Sequence, residues 1–187
     1  TSATQQKLYK WASIDLSRFN TPSEISVLGF PQFVLASDLD KDSDLDIVVA
    51  TDFGGGTNPV FDANILVYKN NGTGSLTLGS SLAYPIGANQ LRDLFIADFD
   101  LDGNLDIAVH RELAIVRSAT VEVLWGSGTT TFERGSNLDQ TSVSDRVSLQ
   151  LRDINNDGNS DLVGDKFYIE SKSGRQRFRQ NITDKPT

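Results

Sequence analysis

Aspartates recur in three nine-residue segments of this 187-residue chain. The segments are 38–46 (DLDKDSDLD), 98–106 (DFDLDGNLD) and 153–161 (DINNDGNSD), which we call loops 1, 2 and 3. They hold five, four and three aspartates, nearly half of the 25 acidic residues. Two carboxylates about 4 Å apart repel by about 4 kcal/mol at an effective dielectric near 20. Crowded aspartates of this kind therefore need a counter-charge or a proton.

The shared pattern is D-x-[DN]-x-D-[GS]-x-x-D, and its spacing suits a divalent cation. Oxygens at positions one, three and five of a tightly curled loop point inward together, position seven offers its backbone carbonyl, and position nine closes the shell. Calcium takes six to eight oxygens from a flexible cage, whereas magnesium demands stricter geometry and keeps more water. We therefore predict up to three calcium ions. The predicted ligands are Asp38, Asp40, Asp42, Asp44 and Asp46; Asp98, Asp100, Asp102, Asn104 and Asp106; and Asp153, Asn155, Asp157, Asn159 and Asp161.

The three loops are not equal. Loop 1 has Ser43 at position six, where glycine best allows the sharp turn, so strain is expected there. Loop 3 has an asparagine at position three, and loop 2, with Gly103 and four aspartate ligands, is predicted to be the best site. The alternative is that the loops are only Asx-turns between strands. A nine-residue loop without a glutamate at position twelve is not an EF-hand.

The segments around the loops repeat as well. From the first aspartate of each loop, the periods are 60 and 55 residues. Each period contains about four short apolar strands separated by turns, and no region shows a sustained 3.6-residue period, so little or no helix is expected. Four-stranded units at this spacing predict β-propeller blades, with a β-sandwich as the alternative. We expect a partial blade of outer strands at 1–31 and blades at 32–90, 91–146 and 147–187.

Composition excludes several classes of protein. There is no cysteine, hence no disulfide and no thiolate zinc site. No segment is apolar for long enough to span a membrane. A sequence pI of about 4.6 argues against nucleic-acid binding. The chain begins at Thr1 without a leader, which reads as a processed product.

The segments DFDLDGNLDIAV and DINNDGNSDLV resemble the FG-GAP or VCBS type of repeat found in integrin-α-like β-propellers. This resemblance covers roughly residues 32–187. It implies calcium in the loop between the first two strands of a blade, a secreted or cell-surface location, and a role in adhesion, glycan binding or assembly. Because propellers close with about four to eight blades, three blades and a fragment leave open ends. Either the chain is a piece of a longer protein, or copies of it combine. We expect self-association or another protein or glycan as the partner.

The predicted function is that of an extracellular, non-catalytic calcium-binding repeat protein. A structural subunit of a ring, sheath or filament is the alternative, and a glycan-active enzyme is the least favoured. His110 is expected at a strand end or on the surface. Trp11, Tyr68, Trp125 and Tyr168 are expected in the core at equivalent third-strand positions, with a sugar-stacking platform as the alternative. Asn71 and Asn181 lie in N-x-[ST] sequences that glycosylation could modify.

Overall fold

The computed structural model describes residues 5–10, 13–15, 18–19, 23–52, 63–73, 75–84, 89–113, 118–141, 148–164, 167–175 and 180–181. Strands, turns and bends account for these residues, and no helix occurs among them. The predicted all-β fold class is therefore confirmed. Within the same residues there is accordingly no helix with the length and hydropathy needed to cross a membrane.

Three four-stranded antiparallel sheets form the body of the structure, each built from strands that follow one another in sequence. The first sheet contains β5 (Phe30–Ser37), β6 (Asp46–Asp52), β7 (Ala63–Asn70) and β8 (Leu76–Tyr84). The second contains β9 (Asn89–Ala97), β10 (Asp106–Leu113), β11 (Ser118–Gly126) and β12 (Phe132–Thr141). The third contains β13 (Gln150–Arg152), β14 (Asp161–Val163), β15 (Phe167–Ile169) and β16 (Gln180–Asn181). This four-stranded meander is consistent with propeller-like blades, and no sheet closes on itself among the described strands.

The second strand of the first sheet is apolar on both faces because both faces are covered. In this strand, β6, Val48, Val49 and Ala50 are all fully buried. Val48 and Ala50 belong to the core between the first and second sheets. Val49 faces the other way, toward β4 (Ser23–Leu28). A strand buried on both faces reads as a continuous apolar run rather than as an alternation.

Two apolar cores join the three sheets face to face. The first combines residues of the first sheet, such as Ile65 and Val67, with Ile107 and Leu124 of the second. The second combines Val121, Val123 and Trp125 of the second sheet with residues of the third sheet, including Leu162 and Ile169. Each sheet thus buries one face against the next, as neighbouring blades do.

The N-terminal part contributes two short pairings. Strand β1 (Gln5–Lys10) pairs antiparallel with β4 (Ser23–Leu28), and β2 (Ser13–Asp15) pairs with β3 (Arg18–Phe19). Ile25 and Val27 of β4 pack on Val49, Leu66 and Tyr68 of the first sheet. The expected blade boundaries at residues 31, 90 and 146 stay a prediction.

Three of the four aromatic residues expected in the core are buried, but not at equivalent positions, and the fourth, Trp11, lies outside the described residues. Tyr68, Trp125 and Tyr168 are at most 7% exposed. The residue after position nine of each loop is Ile47, Ile107 or Leu162. Its partner on the third strand is Tyr68 in the first sheet, but Leu124 in the second and Ile169 in the third. The expected equivalence was therefore wrong by one residue for Trp125 and for Tyr168.

Candidate metal centres

Each aspartate loop connects the first strand of a sheet to the second, and its first aspartate organises the turn. In loop 2 the Asp98 carboxylate accepts hydrogen bonds from the backbone N–H groups of Asp102 (3.1 Å) and Gly103 (2.8 Å). Asp38 does the same for Asp42 and Ser43 in loop 1. In loop 3, Asp153 binds the N–H groups of Asp157 and Gly158. A side chain at position one thus curls each loop back on itself.

Position five adds a second local bond. Asp42 accepts from the N–H of the residue at position seven at 3.0 Å, and Asp102 and Asp157 accept the matching bonds at 2.8 Å. Backbone hydrogen bonds stabilise the charged form of a carboxylate, and they are the main reason that the pKa of Asp42 and that of Asp157 lie below the ordinary value. These carboxylates stay ionised at neutral pH.

The position-nine aspartate links its loop to the end of the third strand of the same sheet, or to the residues just after that strand. Asp106 is fully buried and accepts from the N–H of Phe99 at 2.9 Å and from that of Gly126, at the end of β11, at 2.8 Å. Asp46 makes the same pair of bonds with Leu39 and Asn70. In the third sheet the corresponding bonds join Asp161 to Ile154 and Ser171.

Burial of the position-nine carboxylates has an electrostatic cost. Desolvation disfavours the charged form, and it raises the pKa of Asp106 to about 6, with Asp100 and Asp102 adding repulsion. Burial is likewise the main reason that the pKa of Asp46 and that of Asp161 are raised. A nearby cation would favour the charged form of all three.

Two residues in every loop adopt the left-handed backbone conformation. Position six has φ of 88° at Gly103, 89° at Gly158 and 74° at Ser43. The strain expected at Ser43 is therefore present in its backbone, because a side chain disfavours this region. Position four is also left-handed, at Lys41, Leu101 and Asn156, and the sequence analysis missed it; the asparagine, a residue that tolerates this conformation, is the one local signal.

In loops 1 and 2, three of the predicted carboxylate ligands converge far enough to share a cation. Ligand atoms of Asp38, Asp40 and Asp42 lie within 4.8 Å of one another in loop 1. In loop 2 the corresponding group is formed by Asp98, Asp100 and Asp106. All these donors are hard oxygens, the type that calcium selects.

A buried oxygen without a partner supports the fit. Asp40 Oδ1 is buried and has no hydrogen-bond partner. An unsatisfied buried acceptor is costly, and a cation among the loop 1 carboxylates would satisfy it. The residues therefore fit a calcium ion by donor type and by convergence.

Loop 3 assembles differently because position three is an asparagine. The Asn155 amide donates to Asp157 Oδ2 and to Glu170 Oε1, both at 2.9 Å. Glu170 directly follows β15, and it brings to this loop a carboxylate outside the nine-residue pattern. The sequence analysis missed Glu170 because only strand pairing places it beside the loop.

Two cationic side chains also reach the loops from elsewhere. Lys69, in β7, contacts the carboxylates of Asp40 and Asp42. Arg175, beyond β15 of the third sheet, bonds to Asp100 at 3.1 Å and to Glu133 at 2.9 Å, and its guanidinium lies 5.6 Å from the centre of the Trp125 ring. Neither contact was predicted, since both partners are far from the loops in sequence.

The side chains at position seven have other contacts. Asn104 Oδ1 accepts a bond from Lys41 Nζ at 2.9 Å, which ties loop 2 to loop 1. The Asp44 carboxylate lies against Gly72, whose φ of 75° marks the turn between β7 and β8. These contacts leave the backbone carbonyl as the group that position seven offers to a cation.

Several buried polar residues outside the loops lie next to one another in the described part of the chain. His110 is 3% exposed and its Nδ1 lies 3.1 Å from Asp93 Oδ2, so the expectation of a surface position was wrong. The buried Glu122 lies 3.4 Å from Arg111 and 3.8 Å from Arg134. Glu122 thus lies between two arginines within the second sheet, and His110 is within hydrogen-bond distance of Asp93.

Comparison with known proteins identifies one family. Residues 38–109 match the model of the FG-GAP-like repeat, a segment that contains loops 1 and 2 entirely. No curated protein and no solved structure matches the chain. Repeats of this type are typical of extracellular β-propeller proteins, are generally non-enzymatic and often bind calcium. Residues 38–109 are therefore similar to the FG-GAP-like repeat, in agreement with the resemblance seen in the sequence.

Proposed function

We propose that the three aspartate loops bind calcium and that the ions stabilise an extracellular, non-catalytic propeller-type binding protein. The observation that carries this proposal is the repetition of one hydrogen-bond scaffold in all three loops, with the same bonds from positions one, five and nine. Turns without a ligand need no such agreement, because many sequences can join two antiparallel strands.

The chemistry of the sites is structural. Position-one, -three, -five and -nine side chains and the position-seven carbonyl would surround the ion, and the ion would neutralise carboxylates that otherwise repel one another. Position nine is bonded to the third strand of its own sheet. Position two places Leu39 or Phe99 in a core between sheets, and full burial of such a side chain contributes about 1.5–3 kcal/mol. Calcium would therefore hold together the hairpin, the sheet and the sheet-to-sheet contact.

Calcium removal tests this proposal. A ligand at 100 times its Kd adds about 2.7 kcal/mol per site, and 1 kcal/mol corresponds to roughly 2–4 °C in a domain of this size. We expect EGTA to lower Tm by at least roughly 5 °C, calcium to restore it, and magnesium to restore it less.

A matched pair of variants makes the result specific. Asp98→Asn removes a position-one carboxylate and should reduce the calcium-dependent part of Tm. Glu24→Gln makes the same charge change at an exposed position of β4 and should leave that part intact. A melting curve that is the same in calcium and in EGTA would refute the proposal.

For the partner, we propose binding to a protein or glycan, or association between copies of the chain. Support for association comes from β5, on which Phe30 and Val34 are 46% and 49% exposed. Apolar side chains left in water on a sheet that packs its other face against a neighbour invite a further contact. The alternative role, a subunit of a ring, sheath or filament, uses the same surface.

Light scattering separates these roles. A calcium-loaded chain that elutes as a discrete 20.4 kDa monomer would count against self-assembly, and silence on a glycan array would count against sugar binding. Asn71 is exposed in the turn after β7, as a glycosylation acceptor must be. The Asn181 side chain lies outside the described residues.

A further inference from the structure

One residue at the end of the third strand, or directly after it, faces each loop. This residue has a different charge in each sheet. It directly precedes the residue whose N–H binds the position-nine aspartate, which is Asn70, Gly126 or Ser171. We call it the facing position. Its residues are Lys69, Trp125 and Glu170, so that it is positive, neutral and negative in turn.

In loop 1 the facing lysine lies on the carboxylates predicted to hold calcium. Its ammonium bonds to Asp40 Oδ2 and lies 3.4 Å from Asp42 Oδ2. The Asp40 side chain is only 9% exposed, so that the contact with Lys69 is partly shielded from water. The Lys69 side chain is 41% exposed and has room to swing outward.

The other oxygen of the same carboxylate remains unsatisfied. Asp40 Oδ1 is buried without a hydrogen-bond partner, although Oδ2 is paired with the lysine. The Lys69 ammonium therefore pairs with Oδ2 of Asp40, whereas Oδ1 of the same carboxylate still lacks a donor or a cation. A calcium ion bound by Asp38, Asp40 and Asp42 would share its ligands with Lys69.

We propose that Lys69 competes with calcium for Asp40 and Asp42, and that the residue at the facing position sets how strongly each loop binds the ion. The proposal rests on the calcium function proposed above. It makes loop 1 a weaker site than its five aspartates suggest, because Lys69 already neutralises part of their charge.

Loop 3 shows the opposite arrangement. Glu170 accepts from the Asn155 amide at 2.9 Å, and thus places a carboxylate next to the position that lacks one. The facing residue adds negative charge to the loop with the fewest aspartates and adds positive charge to the loop with the most. The three sites are therefore more alike in net charge than their nine-residue patterns suggest.

Calcium titration calorimetry of the whole chain tests the proposal. In the wild type, one binding step should belong to loop 1, and that step should disappear in Asp38→Asn. Lys69→Gln should tighten that step roughly tenfold, because it removes a positive charge within about 4 Å of two ligands. Lys41→Gln is the matched control, since it removes the same charge from the same loop but from a side chain that bonds to Asn104. It should tighten the step much less.

The reciprocal variant keeps loop 1 intact. Glu170→Lys gives loop 3 the lysine of loop 1, and it should weaken one of the other two steps by roughly tenfold or more. Equal effects of Lys69→Gln and Lys41→Gln, or unchanged binding in Glu170→Lys, would overturn the proposal while the calcium function stands. If the wild type binds no calcium at all, the proposed function itself is wrong, and this inference is wrong with it.

Discussion

Loops 1 and 2 have the same backbone conformation and hydrogen bonds, but they contact different neighbouring side chains. Both have the position-one bonds to positions five and six, and both have a buried position-nine aspartate between two N–H groups. Loop 1 meets a lysine from its own sheet, whereas loop 2 meets Arg175 from the next sheet. The comparison shows that the residues at positions one, five and nine make the hydrogen bonds of the loop, whereas side chains from neighbouring segments set the net charge around it.

The largest effect should come from the part that the two loops share. Asp106→Ala and Asp46→Ala each remove a buried acceptor from two N–H groups, and a buried donor left unpaired costs about 1–3 kcal/mol. In urea denaturation we expect each variant to lose about 3–5 kcal/mol in EGTA, and more in calcium because position nine is also a proposed calcium ligand. A clear difference between the two variants in EGTA would show that the scaffold is not equivalent in the two loops.

A pH titration of the calcium-free protein separates the loops further. The folded-state pKa of Asp106 is about 6, above its unfolded value of 3.8, so the folded state holds the proton more tightly. The stability that this group contributes is present below pH 4 and is lost as pH rises through about 6, by about 3 kcal/mol. In EGTA, Tm should therefore fall between pH 4 and pH 6.

Asp106→Asn is the control, because it keeps the shape of the side chain and removes the titration. The wild-type fall in Tm should flatten in this variant, and it should flatten less in Asp46→Asn if Asp106 contributes most. A wild-type Tm that rises with pH across the same window would contradict this reading.

The smallest effect concerns position six. Ser43 and Gly103 have the same left-handed backbone, with φ of 74° and 88°. A non-glycine residue pays about 1–2 kcal/mol in this region. Ser43→Gly should stabilise the chain by about 1 kcal/mol and Gly103→Ser should destabilise it by a similar amount, as measured by chemical denaturation. Equal signs for the two substitutions would argue against backbone strain as the cause.

Much of the site was predictable because its pattern is local. Aspartates at fixed spacing, with a glycine at position six of two loops, predict a tight turn with inward oxygens, and the apolar runs on either side predict strands. His110 shows where such reasoning stops. The neighbouring residues in the sequence do not predict that His110 is buried. In the structure it lies inside the second sheet, with its Nδ1 next to Asp93 on the paired strand β9.

By itself, the sequence determined the all-β class and the three recurring loops, because strand periodicity and turn chemistry act over a few residues. Only the tertiary structure decided which charge faces each loop. Lys69, Glu170 and Arg175 lie 29, 15 and 75 residues from the loop residues they contact. Strand register and the packing of one sheet on the next bring them there, and neither is written in the spacing of the aspartates.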